Sequence, residues 1–210
     1  MTLFIIIVTA AISIWAFSNN DLMRKLQLNP YQVYHQNQWY RVVTHGFLHA
    51  DWIHLLVNML VFFSFGSAIE NRFDYLAGNG IISNGTLHFL ILYFGGMIIA
   101  TTATIQKQKD NYYYNAIGAS GAVSAVVFTY IFFSPFNQLL LMGVIPIPAI
   151  LFGVLYLVYS QYMRKRSGGN VNHDAHFIGA VFGFIYPIIL EPRLFITFVS
   201  QIGAFFERLI

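Results

Sequence analysis

A chain of 210 residues that is 57% hydrophobic and only 9% charged, with a mean hydropathy of +0.61, is too apolar for a water-soluble globule and reads as one membrane domain. Its 11 Lys and Arg against 8 Asp and Glu leave a net charge of +3, too slight and too scattered for a nucleic-acid partner. With no cysteine, disulfides, thiolate nucleophiles and Cys-ligated zinc are excluded, and His and carboxylates are the strong metal ligands that remain.

The chain opens into the apolar run Leu3 to Phe17, with no basic segment before it and no small-residue cleavage site after it, which predicts a first spanning helix and not a cleaved signal peptide. An Arg-rich amphipathic leader of the organellar kind is not seen. Apolar stretches near the ~20 residues that cross a bilayer recur at 3–18, 52–70, 86–105, 117–133, 139–162 and 175–190, predicting six spans. The first connection, Ser18 to Asp51, is rich in Trp, Tyr and Pro, which suits a structured element at the membrane interface. A Gly/Asn-rich loop (Gly78 to Gly85), a charged loop (Gln106 to Asn115) and a basic loop (Arg164 to Asp174) separate later spans. From Asn111 to Met163 there is no charged residue, so the turn Ser134-Pro135-Phe136-Asn137 is where that stretch divides into two helices. The segment from Arg193 to Ile210 is too short and interrupted for a seventh span and reads as a surface helix. The expected architecture is all-α: a six-helix membrane domain over 1–192 and a short C-terminal tail over 193–210.

Polar residues inside apolar spans carry the functional information, because a His or Asn in hydrocarbon is costly unless it faces protein or water. Three clusters qualify. In the run from His49 to Asn58, Asp51 is a good N-cap, so a helix starting at Trp52 puts His54 and Asn58 on one face and leaves His49 in the preceding loop. Helix-packing hydrogen bonds account for such residues as readily as catalysis does. The second cluster, Gly118-Ala119-Ser120-Gly121, is weak as a string, but Ser120 sits at a helix N-terminus, where unpaired N–H groups and the dipole favour a developing negative charge. The third cluster sets His176 above Gly179 and Gly183, at spacings of three and seven on one face. This small-residue ridge matches Gly121 and Ala125 beside Ser120, so the fourth and sixth helices can pack closely and bring Ser120 to His176. Spans two, four and six run in the same direction, so His54, Ser120 and His176 share one face of the membrane.

Taken together, His49-x4-His54-x3-Asn58, Gly118-Ala119-Ser120-Gly121 and His176-x2-Gly179-x3-Gly183 resemble the rhomboid proteases in order, spacing and helix number. Trp39-Tyr40-Arg41 looks like that family's first-loop Trp/Arg element, and Gly66-x3-Glu70 like its structural Glu. The resemblance implies a Ser-His dyad without cofactor or metal: Ser120 as nucleophile, and His176 as general base and then acid. His54, Asn58 and the Ser120 N–H would form the oxyanion hole, and His49 would brace the first loop. Asp174, two residues before His176, points elsewhere on a helix and is not promoted to a triad. The implied substrates are single-pass membrane proteins cut in or near the spanning helix, within the lipid bilayer of a prokaryotic inner membrane, with the site open to the extracytoplasmic side.

Two departures stand out. Many bacterial members carry Tyr four residues after the nucleophile; here that residue is Ser124, so the orientation of His176 must rest on other packing, with help from the Ser124 hydroxyl. Under the family topology the outer loops hold Arg24, Lys25, Arg41, Lys107, Lys109, Arg164, Lys165 and Arg166, while only Arg72, Arg193 and Arg208 face inward, against the positive-inside rule. Two competing readings remain. His45-x3-His49, His54 and His173-x2-His176 resemble histidine boxes of a membrane metalloenzyme, which would leave the Ser120 segment unexplained. A rhomboid-like pseudoprotease would bind transmembrane helices without cleaving them, which the retention of Ser120 and His176 opposes. His35, His45, His88 and His173 are read as loop or interface residues.

Overall fold

A computed structural model describes residues 1–141, 144–166 and 173–207, with side chains described except at 141, 163–166 and 173. Helix α1 (Thr2–Phe17) is followed by three short helices that build the first connection: α2 (Asn20–Leu26), α3 (Pro30–Gln36) and α4 (Arg41–Thr44), the last running into a 3-10 turn at His45–Phe47. Asn19 and Asn29 cap α2 and α3 by accepting the N–H of Leu22 and Gln32, each at 2.9 Å, and Pro30 opens α3 where its missing N–H costs nothing. The first connection, expected to be structured, is thus a run of short helices, two of them with side-chain caps.

Helix α5 (Trp52–Gly78) begins where its cap predicts, with Asp51 accepting the His54 N–H at 2.7 Å. Helix α6 (Gly85–Gln108) and helix α7 (Ser120–Phe133) follow, and the chain turns at 134–137. Helices α8 (Ala149–Arg166), α9 (His173–Leu190) and α10 (Arg193–Glu207) complete the described chain, α10 bending 114° away from α9.

One expectation fails at the start of the fifth stretch. Residues read as the beginning of a helix from 139 instead form an antiparallel hairpin of β1 (Gln138–Leu141) and β2 (Ile145–Pro148), with Gln138 opposite Pro148 and Leu141 opposite Ile145. Pro146 and Pro148 cannot donate into a helical ladder, and Ile145 and Ile147 are β-branched, so the apolar run takes the strand form until Ala149. A two-stranded ribbon is all edge, which tolerates both prolines.

By length and composition α5 and α6 can each cross a membrane, and the bent α9–α10 pair qualifies as a third; α1, α7 and residues 149–162 are apolar but shorter. The exterior is correspondingly apolar: Leu3, Ile7, Ile53, Leu60, Leu151 and Val158 are all exposed, as suits an integral membrane protein bathed in lipid. Helix α7 is central, with every residue from Gly121 to Thr129 buried, and it packs against α5, α6, α8 and, most extensively, α9. Its 14 residues span about 21 Å, short of the ~30 Å hydrocarbon thickness.

Candidate active site

Close approach of α7 and α9 is what positions the site, and glycine permits it. A Cβ at Gly179 would lie 2.2 Å from the Gly121 carbonyl oxygen, and one at Gly183 would lie 1.9 Å from the Ala125 oxygen, so only glycine lets the two backbones touch. Thr129 fastens the lower end, its hydroxyl lying 3.0 Å from the Ala125 carbonyl and 2.7 Å from that of Gly183. At the upper end, Ser120 and His176 meet across the seam with Oγ 2.7 Å from Nε2. Both side chains are partly exposed, and Ser120 is the first residue of α7, whose N-cap Ala119 provides no side-chain acceptor for the first-turn N–H groups.

The imidazole of His54 completes a third side. The Ala50 N–H donates to its Nδ1 at 3.3 Å, so the neutral ring carries its proton on Nε2. That atom lies over Gly118: a Cβ there would sit 3.2 Å from Nε2 and 3.0 Å from Cε1, and Gly118 also holds φ +119°, a region open to glycine. Asn58, buried one turn further along α5, donates from Nδ2 to the His54 carbonyl at 3.0 Å. A narrow pocket of about 20 Å³ beside Ser120 is lined by His45, Gly118, Gly121 and Ala175, room for one water molecule.

The remaining predicted residues lie behind or away from this cleft. His49 is fully buried; its Nδ1–H donates to Ser13 Oγ at 2.9 Å, while the Ser13 hydroxyl donates to the Phe47 carbonyl at 2.8 Å, tying the loop to α1. Its ring meets His54 edge-on at 4.9 Å. Desolvation, and after it the neighbouring His54, depresses the His49 pKa to about 3. Arg41 is buried and donates to the carbonyls of Arg24 and Gln27 at 2.8 and 2.7 Å and to Gln38 Oε1 at 2.7 Å, tying α4 to the end of α2 and to the loop that precedes α4. Trp39 is exposed. Glu70 is near the far end of α5, accepting the Thr2 N–H at 2.9 Å and pairing with the Met1 amino group. Asp174 pairs with Lys107 of α6.

Several contributors were not foreseen. His45 lies in the 3-10 turn of the first connection and is buried: it donates from Nδ1 to the Arg41 carbonyl at 3.0 Å, and accepts the Gly118 N–H on its own carbonyl at 3.0 Å. Burial pushes its pKa down to about 4. Leu28 and Ala116 exchange two backbone hydrogen bonds of 2.9 Å, so the first connection clamps the segment that delivers Ser120. His35 contacts Asp110 at 3.0 Å on that same clamp, and His88 meets the Tyr186 hydroxyl at 3.1 Å near the opposite end. The side chain of His173, and residues 167–172 of the basic loop, lie outside the described residues. Among the described residues no three His, Asp or Glu side chains converge on a common point that could hold a metal ion.

In the comparison with known families, the rhomboid domain model matches residues 36–193, which include α5, α7 and α9 with Ser120 and His176. The chain belongs to the rhomboid family. It is similar to the mitochondrial RHOMBOID-like protein 12 of Arabidopsis thaliana, 29% identical over 176 residues that cover 79% of this chain and 51% of that protein. It is also similar to two proteins of Bacillus subtilis: YdcA, 28% identical over 156 residues (74% of this chain, 69% of the relative), and rhomboid protease GluP, 23% identical over 175 residues (83% and 29%). The chain therefore spans about half of the plant relative's length and under a third of GluP's.

Proposed function

We propose that this protein is an intramembrane serine endopeptidase that cleaves the transmembrane segments of single-pass membrane proteins through a Ser120–His176 dyad. The observation that carries the reading is the 2.7 Å contact between Ser120 Oγ and His176 Nε2 at a partly open helix N-terminus, in a chain of the rhomboid family. His176 takes the Ser120 proton as Oγ attacks the scissile carbonyl, then returns it to the leaving amine; water deacylates Ser120 with His176 again as base. The tetrahedral oxyanion is met by the Ser120 N–H, by Nε2–H of His54 and by the Asn58 amide. No cofactor or metal is needed for these steps.

The architecture behind this reading is six spans, α1, α5, α6, α7, α8 and α9, over residues 1–192, with α10 lying along the surface. Because α7 is about 10 Å shorter than the hydrocarbon core, Ser120 sits well below one lipid surface, under the roof of α2, α3 and α4. That depth suits a substrate that is itself in the membrane, whose helix must first unwind to free the carbonyl under attack. We place the site on the extracytoplasmic side of a prokaryotic inner membrane.

The test is cleavage of a single-pass reporter co-reconstituted in liposomes. Wild type releases the soluble half, whereas Ser120→Ala and His176→Ala, folded to the same melting midpoint, do not. Unimpaired release by either variant rejects the dyad, and binding without release by wild type identifies a non-catalytic helix binder.

A further inference from the structure

We propose that Tyr156 of α8 is a positioning residue for the His176 imidazole, with the Ser124 hydroxyl of α7 as one of several contacts that hold Tyr156 in place, an inference that rests on the Ser120–His176 reading above. To pass a proton from Ser120 Oγ to a leaving amine, His176 must keep its ring plane while Nε2 faces first one atom and then the other. The ring sits in the first turn of α9, partly exposed, and a helix backbone does not by itself fix the plane of a side chain.

One flat surface beside it is the ring of Tyr156. Its ring lies 6.4 Å from the imidazole centroid and only 16° from parallel, the offset stacking that aromatic pairs favour. Tyr156 is itself held from several sides. Its hydroxyl is 2.8 Å from Ser124 Oγ, Phe128 of α7 meets its ring at 5.7 Å, and Phe152, one turn earlier on α8, stacks at 6.2 Å. Ser124 is four residues after Ser120, so one face of α7 presents two hydroxyls in line. The upper one meets Nε2, and the lower one anchors the ring that lies along the imidazole. The phenol thus comes from α8, and α7 supplies only its hydrogen-bond partner.

The experiment uses the full chain in detergent, a fluorogenic peptide bearing a transmembrane segment, and a fluorophosphonate whose reaction rate with Ser120 reads nucleophilicity without substrate binding. Tyr156→Phe keeps the stacked ring, and its kcat stays within about threefold of wild type. Tyr156→Leu removes the ring, and kcat and the labelling rate fall together by about tenfold to a hundredfold, with KM within twofold. Should Tyr156→Leu melt below the assay temperature, Tyr156→Met, closer in bulk, gives the same readout. Ser124→Ala loses the anchor alone and falls by no more than about threefold, because the phenylalanine contacts remain. A ring-less variant within twofold of wild-type kcat, or a Tyr156→Phe loss equal to that of Tyr156→Leu, overturns the proposal, as does a hundredfold loss in folded Ser124→Ala. Ser120→Ala and His176→Ala run alongside. Activity surviving in them rejects the dyad itself, whereas inactive dyad variants beside an unimpaired Tyr156→Leu reject only the role of Tyr156.

Discussion

Gly179→Ala tests how tightly the chemistry depends on helix packing. The added methyl would start 2.2 Å from the Gly121 carbonyl oxygen, and real contacts of this kind do not fall below 3.0 Å. The obstacle is backbone, which cannot swing aside as a flexible side chain can, so α7 and α9 must separate by about 0.8 Å at that level. Gly121 adjoins Ser120, and Gly179 lies one turn below His176, so most of the shift reaches the dyad. The 2.7 Å contact then lengthens to about 3.5 Å, the limit of a hydrogen bond. A misplacement near 1 Å costs up to ~10²-fold in rate, so kcat should fall by about 30- to 100-fold, with about 1–3 kcal/mol of destabilisation from overpacking. Fluorogenic turnover and thermal melting in detergent measure the two effects. Gly203→Ala on α10, where a Cβ meets nothing within 4 Å, is the control and should change neither. Turnover in Gly179→Ala within threefold of wild type would refute the claim that this seam sets the dyad distance.

Other expectations follow from the same geometry. His54→Ala and Asn58→Ala should each lower kcat by about 10²-fold with little change in KM, since oxyanion donors act on the transition state; a loss confined to KM would remove them from that role. Arg41→Ala removes the buried guanidinium that donates to the carbonyls of Arg24 and Gln27 and to Gln38 and should destabilise the fold by about 2–3 kcal/mol in detergent melts. Arg41→Lys should restore only part of this stability, because an ammonium placed at the two carbonyls that Nη1 serves cannot also supply the Nε–H that meets Gln38. Neutral burial of His45 and His49 makes stability pH-dependent. Each is protonated below about 6.5 when unfolded but stays neutral in the fold to about 4 and about 3, so stability is full above pH 6.5 and is lost as pH falls below it. Each contributes about 1.4 kcal/mol per pH unit in that window, and His45→Gln should shed one proton of linkage; an unchanged slope would contradict the assignment.

Much of this geometry was legible in the sequence because it follows from helical periodicity and chain direction. The Asp51 cap placed the start of α5, the matching glycine ridges predicted the α7–α9 seam, and the common direction expected of three helices put His54, Ser120 and His176 at one end. What escaped was of two kinds. The run from Gln138 to Pro148 is as apolar as a spanning helix, and only its prolines and β-branched residues mark the hairpin, a signal that apolarity outweighed. The support of His176 by Tyr156, the grip of the His45 carbonyl on Gly118 and the Leu28–Ala116 bridge join residues distant in sequence, two of them through backbone atoms that carry no side-chain signature.

The central claim is that Ser120 is a nucleophile activated by His176, and intact-mass analysis after treatment with diisopropyl fluorophosphate tests it most directly. One phosphoryl adduct per chain, mapped by peptide sequencing to Ser120 and lost in folded His176→Ala, is the predicted result. Labelling elsewhere, or labelling of His176→Ala at the wild-type rate, would contradict it.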